Sequence, residues 1–300
     1  MIPAPTFAVV GAARAGTTAL CEAVRAHPDG FVTDPKEPHY YALAGERPTF
    51  TGPGDEEGIN SVSITEEARF LELFAGSEGA VARGDGSVSS LYYAEQAAPR
   101  LAELAPQARV VICLRDPVER AYSSWQYLRA LGREPEADFA TALAAEPDRV
   151  AAGWHHLWHY RGVSRYAPGL AEFLRHFPAE QVLVVTYDDL SADQVGTVAG
   201  FLEFLGLDPA AGQAPGRVNA SGEVRSKLVQ QALTGLRGVG VVRSTVKALV
   251  PYTVRERIRQ ANLRETSIDA DLRRRLAGEF AADLGAVEDL LGRPLPAWGR

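Results

Sequence analysis

Two segments of this 300-residue chain hold residue types suited to gripping an anion. In the first, GAARAGTT, Gly11 and Gly16 have the spacing of a phosphate-binding glycine loop, set between an apolar run and a helical pattern. Glycine at 16 lets the backbone approach a ligand closely, and the amides of Ala15, Gly16, Thr17 and Thr18 open a helix whose N-terminus attracts negative charge. Thr17 stands where a nucleoside triphosphatase places the lysine that reaches the β and γ phosphates, which disfavours triphosphate hydrolysis. The positive charge lies instead inside the loop, at Arg14, where it can meet a terminal group less charged than a triphosphate tail. The plainer reading of the same residues is a tight strand-to-helix turn.

The second segment runs from Leu114 to Ser124, LRDPVERAYSS. Arg115 follows an unbroken apolar run and so stands at the carboxyl end of a buried strand, the edge at which open α/β sheets bind ligands. Pro117 suits a first helical turn and Asp116 an N-cap, which puts Ser123 about two turns into the helix. An arginine and a hydroxyl converging from these places can hold a phosphate monoester through charge-assisted hydrogen bonds. The plainer alternative pairs Arg115 with Asp116 or Glu119.

A third group, Trp154, His155, His156, Trp158 and His159, is conspicuous in composition. His155 and His159 have a spacing that can share a helical face and bind metal, but no carboxylate is placed beside them in sequence. Trp154 and His155 are read as an aromatic wall for an acceptor, or as packing.

The elements that position these groups alternate between short β-branched runs and longer helical patterns, the signature of βαβ units and a largely parallel sheet. Strands are expected at Phe7 to Val10, Phe31 to Thr33, Ala80 to Gly84, Val110 to Leu114 and Val182 to Thr186. The fourth is apolar throughout and reads as central. Helices are expected at Thr17 to Ala26, Glu66 to Phe74, Ala94 to Leu104, Val118 to Leu131, Arg165 to His176 and Val195 to Leu205. The fold class is therefore α/β and P-loop-like, about five mostly parallel strands flanked by helices, in one domain across 1–300. Residues 44–64 read as a long surface loop, either a substrate element or disordered. A basic amphipathic stretch, about 220–262, reads as a helical cap with a solvated face, or as a surface meeting an anionic or lipid-linked acceptor.

The composition sets outer bounds. A net charge of -7 argues against broad nucleic-acid binding, which needs a basic face. Cys21 and Cys113, the only two cysteines, lie in apolar segments and indicate neither a disulfide framework nor a zinc site. No run approaches the roughly 20 apolar residues that span a bilayer, and the first residues lack the basic region of a signal peptide, so a cytoplasmic location is expected. Abundant Ala, Arg and Gly with a single Met suggest a bacterial source of high GC content.

Taken together, RAGTT and RDPVERAYS resemble the corresponding motifs of sulfotransferases that use 3'-phosphoadenosine 5'-phosphosulfate (PAPS). KEPHYY, from Lys36 to Tyr41, resembles the KE, His and aromatic motif of the carbohydrate branch. GDGSVSSLYY, RGVSRYAPGL and LLGRPLPAW, at Gly84 to Tyr93, Arg161 to Leu170 and Leu290 to Trp298, extend the resemblance over nearly the whole chain. It implies that Arg14, Ala15, Gly16, Thr17 and Thr18 cradle the 5'-phosphosulfate and that Arg115 and Ser123 bind the 3'-phosphate. It also implies that Glu37 is the base for the acceptor hydroxyl, with Lys36 touching the sulfate or tuning that carboxylate. His39 is the second candidate base, beside a structural reading in an aromatic turn, and Asp85 is placed to orient base or acceptor. The implied acceptor is a carbohydrate or a glycosylated or lipid-linked natural product of bacterial secondary metabolism, and no metal is required. Three positions depart from the family pattern: Arg14 for its usual lysine, Gly86 for a lysine, and Val88 for a proline. The competing readings are a nucleotide kinase or phosphotransferase and a nucleotide-binding protein that has lost catalysis.

Overall fold

The computed structural model describes residues 2–212, 223–224, 263–264 and 268–298. The chain runs β1 (Phe7–Gly11), α1 (Thr17–Arg25), β2 (Gly30–Val32), α2 (Tyr40–Leu43), α3 (Glu67–Glu72) and β3 (Ala82–Asp85). It continues through α4 (Ser89–Tyr92), α5 (Ala94–Leu104), β4 (Arg109–Leu114), α6 (Pro117–Ala130), α7 (Phe139–Ala144) and α8 (Glu146–Ala151). Then come α9 (Ala167–His176), β5 (Val182–Thr186), α10 (Tyr187–Ala192), α11 (Gln194–Phe204), an antiparallel pair β6 (Glu223–Val224) and β7 (Leu263–Arg264), and α12 (Ala270–Leu291).

The main sheet has the order β2-β3-β1-β4-β5, and every recorded pairing in it is parallel. Val110 to Leu114 are at most 1% exposed, as the continuous apolar run requires of a strand covered on both faces. The chain winds outward from β1 in one direction to β3 and β2 and in the other to β4 and β5. A crevice therefore opens at the carboxyl ends of β1 and β4, where the order reverses. The β1–β4 register shifts between Val9 and Gly11, at the crevice end of β1.

A second apolar cluster joins α6 to α7 and α12 through Trp125, Phe139, Trp158, Tyr160, Leu276 and Phe280. This packing fixes the 22-residue helix α12 against the start of α6. The C-terminal helix thus lies later than the expected basic cap. That cap, with Arg225 and Lys227, falls outside the described residues except for the strand at Glu223–Val224.

Residues 44–64 differ from a plain surface loop. Asp55 and Ile59 are buried, Glu56–Asn60 forms a wide helical turn, and Thr51 N–H donates to the carbonyl of Gly153 at 3.1 Å. Among the described residues no helix is long and apolar enough to cross a membrane.

Candidate active site

The glycine loop follows β1 and closes onto α1. Gly11 and Gly16 adopt φ of +152° and +97°, and Arg14 takes φ of +69°. A left-handed arginine is uncommon and concentrates at functional loops. Gly16 is required for a second reason: a Cβ there would lie 2.7 Å from Leu190 and 3.5 Å from Tyr187 of α10. The loop is pressed between its own helix and α10, and only glycine fits the gap.

Arg14 reaches across the crevice. Its Nε donates to Ser123 Oγ at 3.3 Å, and its guanidinium stacks over the Tyr127 ring at 4.6 Å, both on α6. Ser123 is buried at the depth in α6 that the Asp116 cap dictates, since Asp116 Oδ1 accepts from the amides of Val118 and Glu119 at 2.8 and 3.1 Å. Arg115, at the end of β4, donates to the Arg14 carbonyl at 3.3 Å and lies 4.5 Å over the Tyr187 ring. Burial pulls the Arg115 guanidinium below its usual pKa, opposed by Tyr187, Tyr166 and the nearby Asp116 and Asp188. A cleft of about 560 Å³ adjoins it, lined by Arg115, Asp116, Glu119, Tyr187, Asp188 and Ser191.

The carboxyl ends of β2 and β3 supply the other side. Lys36 Nζ pairs with Glu37 Oε1 at 2.7 Å, and Gly86 N–H donates to the Lys36 carbonyl at 2.8 Å, joining the two strand ends. Burial pushes the Glu37 carboxyl up, but Lys36, His39 and Arg14 outweigh it and hold it below the ordinary carboxylate value. Burial likewise opposes the Lys36 ammonium, and the Glu37 carboxylate more than compensates.

His39 is buried with φ of +59°, shares a 2.8 Å hydrogen bond between Nδ1 and Ser89 Oγ, and donates its backbone N–H to Ser87 Oγ at 3.0 Å. Ser87 Oγ in turn donates to Asp85 Oδ2 at 2.5 Å. Asp85 therefore positions the His39 backbone through Ser87. Burial lowers His39 to about 4, against the pull of Glu37, and raises Asp85 to about 6. Val88, where the family pattern has proline, keeps φ of −64°, the angle a proline ring would impose.

Gly86 is explained by packing: a Cβ there would meet Cys21 Sγ at 2.7 Å and Lys36 Nζ at 3.3 Å. Any side chain at 86 would contest the space that Lys36 fills.

The histidines continue outward from His39. His39 and His156 rings are 6.4 Å apart, and His156 and His155 rings 5.2 Å apart. His155 is buried, its Nδ1 sharing a 2.6 Å hydrogen bond with Asp55 Oδ1, so the long loop supplies the carboxylate that the local sequence lacked. Trp154 packs edge-on against Trp158 at 5.4 Å. Among the described residues no group of three or more His, Cys, Asp or Glu could hold a metal ion.

The structure thus brings together Arg14, Ser123 and Arg115 on one side of the crevice and Lys36, Glu37, His39 and Asp85 on the other. Trp154 and His155 stand beyond His156. Tyr127, Tyr187 and Asp188 also border the site. The YDD turn after β5 marks the last two at a strand's carboxyl end, a signal present in the sequence.

A family profile described as the sulfotransferase family matches residues 5–210. Human heparan sulfate glucosamine 3-O-sulfotransferase 3B1 is 26% identical over 208 residues, covering 68% of this chain and 46% of the relative. The chain spans about half the length of the curated relatives it matches. The crystal structure of a sulfotransferase from Alicyclobacillus acidocaldarius is 30% identical, with a TM-score of 0.77, covering 99% of this chain and 100% of that one. Mouse sulfotransferase SULT7A1, complexed with PAP, has a TM-score of 0.51 at 15% identity, covering 93% of this chain and 84% of that one, a likeness of fold alone.

Proposed function

Because this chain belongs to the sulfotransferase family, we propose that it moves the sulfuryl group of PAPS to a hydroxyl of a carbohydrate or glycosylated natural product, acting as a single domain. The observation that carries this reading is the convergence of Arg14, Ser123 and Arg115 at the crevice between β1 and β4. Its donors are cationic, hydroxyl and amide groups, which suit an anionic ligand. When bound, PAPS supplies the activated sulfuryl group and departs as the 3',5'-bisphosphate (PAP).

Arg14, the amides of Ala15 to Thr18 and the Thr17 and Thr18 hydroxyls hold the 5' end and face the charge that develops there. Arg115 and Ser123 hold the 3'-phosphate. Lys36 keeps the Glu37 carboxylate ionised and fixed, so that its oxygen accepts the acceptor's proton. His39, locked by Ser87 and Ser89 and neutral above about pH 4, walls the acceptor side and lends its charge to neither step. Trp154 is half-buried and open to a larger acceptor, whereas His155, expected as part of the same wall, is buried and bound to Asp55.

Isothermal titration with PAP, adenosine 5'-phosphate and ATP tests the reading. Tight binding that requires the 3'-phosphate and is lost in Arg115→Ala supports it. Preference for ATP, or no binding of any of the three, overturns it.

A further inference from the structure

The cleft beside Arg115 has an electrostatic difficulty. Its lining holds one arginine and three carboxylates, Asp116, Glu119 and Asp188, a poor setting for a phosphate dianion. Glu119 Oε2 is already 3.8 Å from Arg115 Nη2, close enough to compete for the guanidinium.

The C-terminal part of the chain engages all three acids. Arg273, in the first turn of α12, pairs through Nη1 with Asp116 Oδ2 at 3.4 Å and through Nη2 with Glu119 Oε1. The indole N–H of Trp298 donates to Asp188 Oδ2 at 2.8 Å. Glu119 thus faces two arginines, one on each carboxylate oxygen. Its shorter contact is to Arg273, on the side away from Arg115. The Arg273 side chain is 40% exposed, and the Leu276 and Phe280 contacts of α12 with α6 hold it in reach.

We infer that Arg273 is a positioning residue of the 3'-phosphate site: it draws Glu119 and Asp116 off Arg115 and so frees the Arg115 guanidinium for the ligand. This rests on the PAPS reading above. Arg273 acts through Glu119 and Asp116, so its loss is repaired by removing the charge it restrains. Without Arg273, Glu119 closes on Arg115 and the cleft becomes an internally neutralised ion pair beside two further acids.

The test is titration of PAP and of adenosine 5'-phosphate into wild type, Arg273→Ala, Glu119→Gln and the double variant, with thermal melts of each. Arg273→Ala should weaken PAP binding about three- to five-fold, the upper scale of one partly exposed charge pair. It should leave adenosine 5'-phosphate within about two-fold, since that ligand has no 3'-phosphate for Arg115. Glu119→Gln added to Arg273→Ala should restore most of the PAP affinity. Unchanged PAP affinity in Arg273→Ala overturns the inference, as does a loss that Glu119→Gln fails to repair. If Arg273→Ala melts early, Arg273→Gln, which keeps most of the stem, takes its place in the same comparison. A wild-type chain indifferent to the 3'-phosphate overturns the cofactor reading itself, and this inference with it.

Discussion

The Arg115 guanidinium donates to the backbone carbonyl of Arg14 at 3.3 Å, tying the end of β4 to the glycine loop after β1. The two arginines, 101 residues apart in sequence, therefore form one unit, and a ligand that engages either meets the other. The Arg115 guanidinium carbon also lies 4.5 Å over the Tyr187 ring, so its position as well as its charge is set. A lysine at 115 would keep the charge and lose both the stacking and the fork of donors.

Arg115→Ala is expected to weaken PAP binding roughly 10- to 100-fold, the value of a charge-assisted bond with its partner left buried. Arg115→Lys should recover little of it. Titration calorimetry with both variants reads this directly, and full recovery by lysine would show that only the charge matters.

Glu37→Gln should cut kcat about 10²- to 10⁴-fold while leaving PAP affinity intact, because the base acts on the acceptor alone. Both candidate bases are unprotonated across the neutral range, so substitution rather than pH separates them. The Glu37 carboxyl lies below its ordinary value and is ionised across the neutral range, so kcat/KM should stay level as pH falls from 8 to about 5. Burial holds His39 at about 4, so it too is a free base above about pH 5; a kcat near wild type in Glu37→Gln together with a large loss in His39→Ala would transfer the role to His39.

The five strands of the main sheet and helices α1, α3, α5, α6, α9 and α11 were legible because each carries a local signal, whereas the short α2, α4, α7, α8 and α10 and the long α12 were not foreseen. Val110 to Leu114 is an unbroken apolar run, and Asp116 with Pro117 announces the start of α6. The glycine spacing and the strand-end arginine follow from local geometry in the same way, and the structure brings Arg14, Ser123 and Arg115 together. What local pattern could not reveal is pairing at long range. Asp55 meets His155 across 100 residues and Arg273 meets Asp116 across 157, and neither partner's neighbours hint at the other. Gly86 looked like a lost lysine, whereas Cys21 and Lys36 already occupy the volume a side chain would need.

Acid should destabilise the fold before most of its carboxylates are protonated. Burial holds His39 and His159 at about 4, below the ordinary 6.5. Between those values the unfolded chain binds protons that the folded chain refuses, so stability falls as pH drops from about 6.5 to 4. Asp85 works the other way, since its folded value near 6 exceeds the ordinary 3.8 and its contribution is lost as pH rises through 6. Melting temperatures across pH 4 to 7 should therefore decline toward acid, and less steeply in His159→Phe, which also gives up the 2.9 Å bond to Tyr92. An identical slope in that variant would refute the assignment.

Gly86→Ala isolates the packing that positions Glu37. The added methyl would lie 2.7 Å from Cys21 Sγ and 3.3 Å from Lys36 Nζ. Cys21 is fully buried on α1 and cannot withdraw, so Lys36, whose ammonium sits at the end of a flexible stem, must give way. Displacing Lys36 breaks its 2.7 Å pair with Glu37, which should lower kcat together with a stability loss of about 1–3 kcal/mol from overpacking. Cys21→Ala removes the atom that forces the displacement. In that background Gly86→Ala should recover both melting temperature and kcat, because the new methyl settles toward α1 and Lys36 returns to Glu37. Recovery of stability without recovery of kcat would mean that the base is placed by something other than the Lys36 pair.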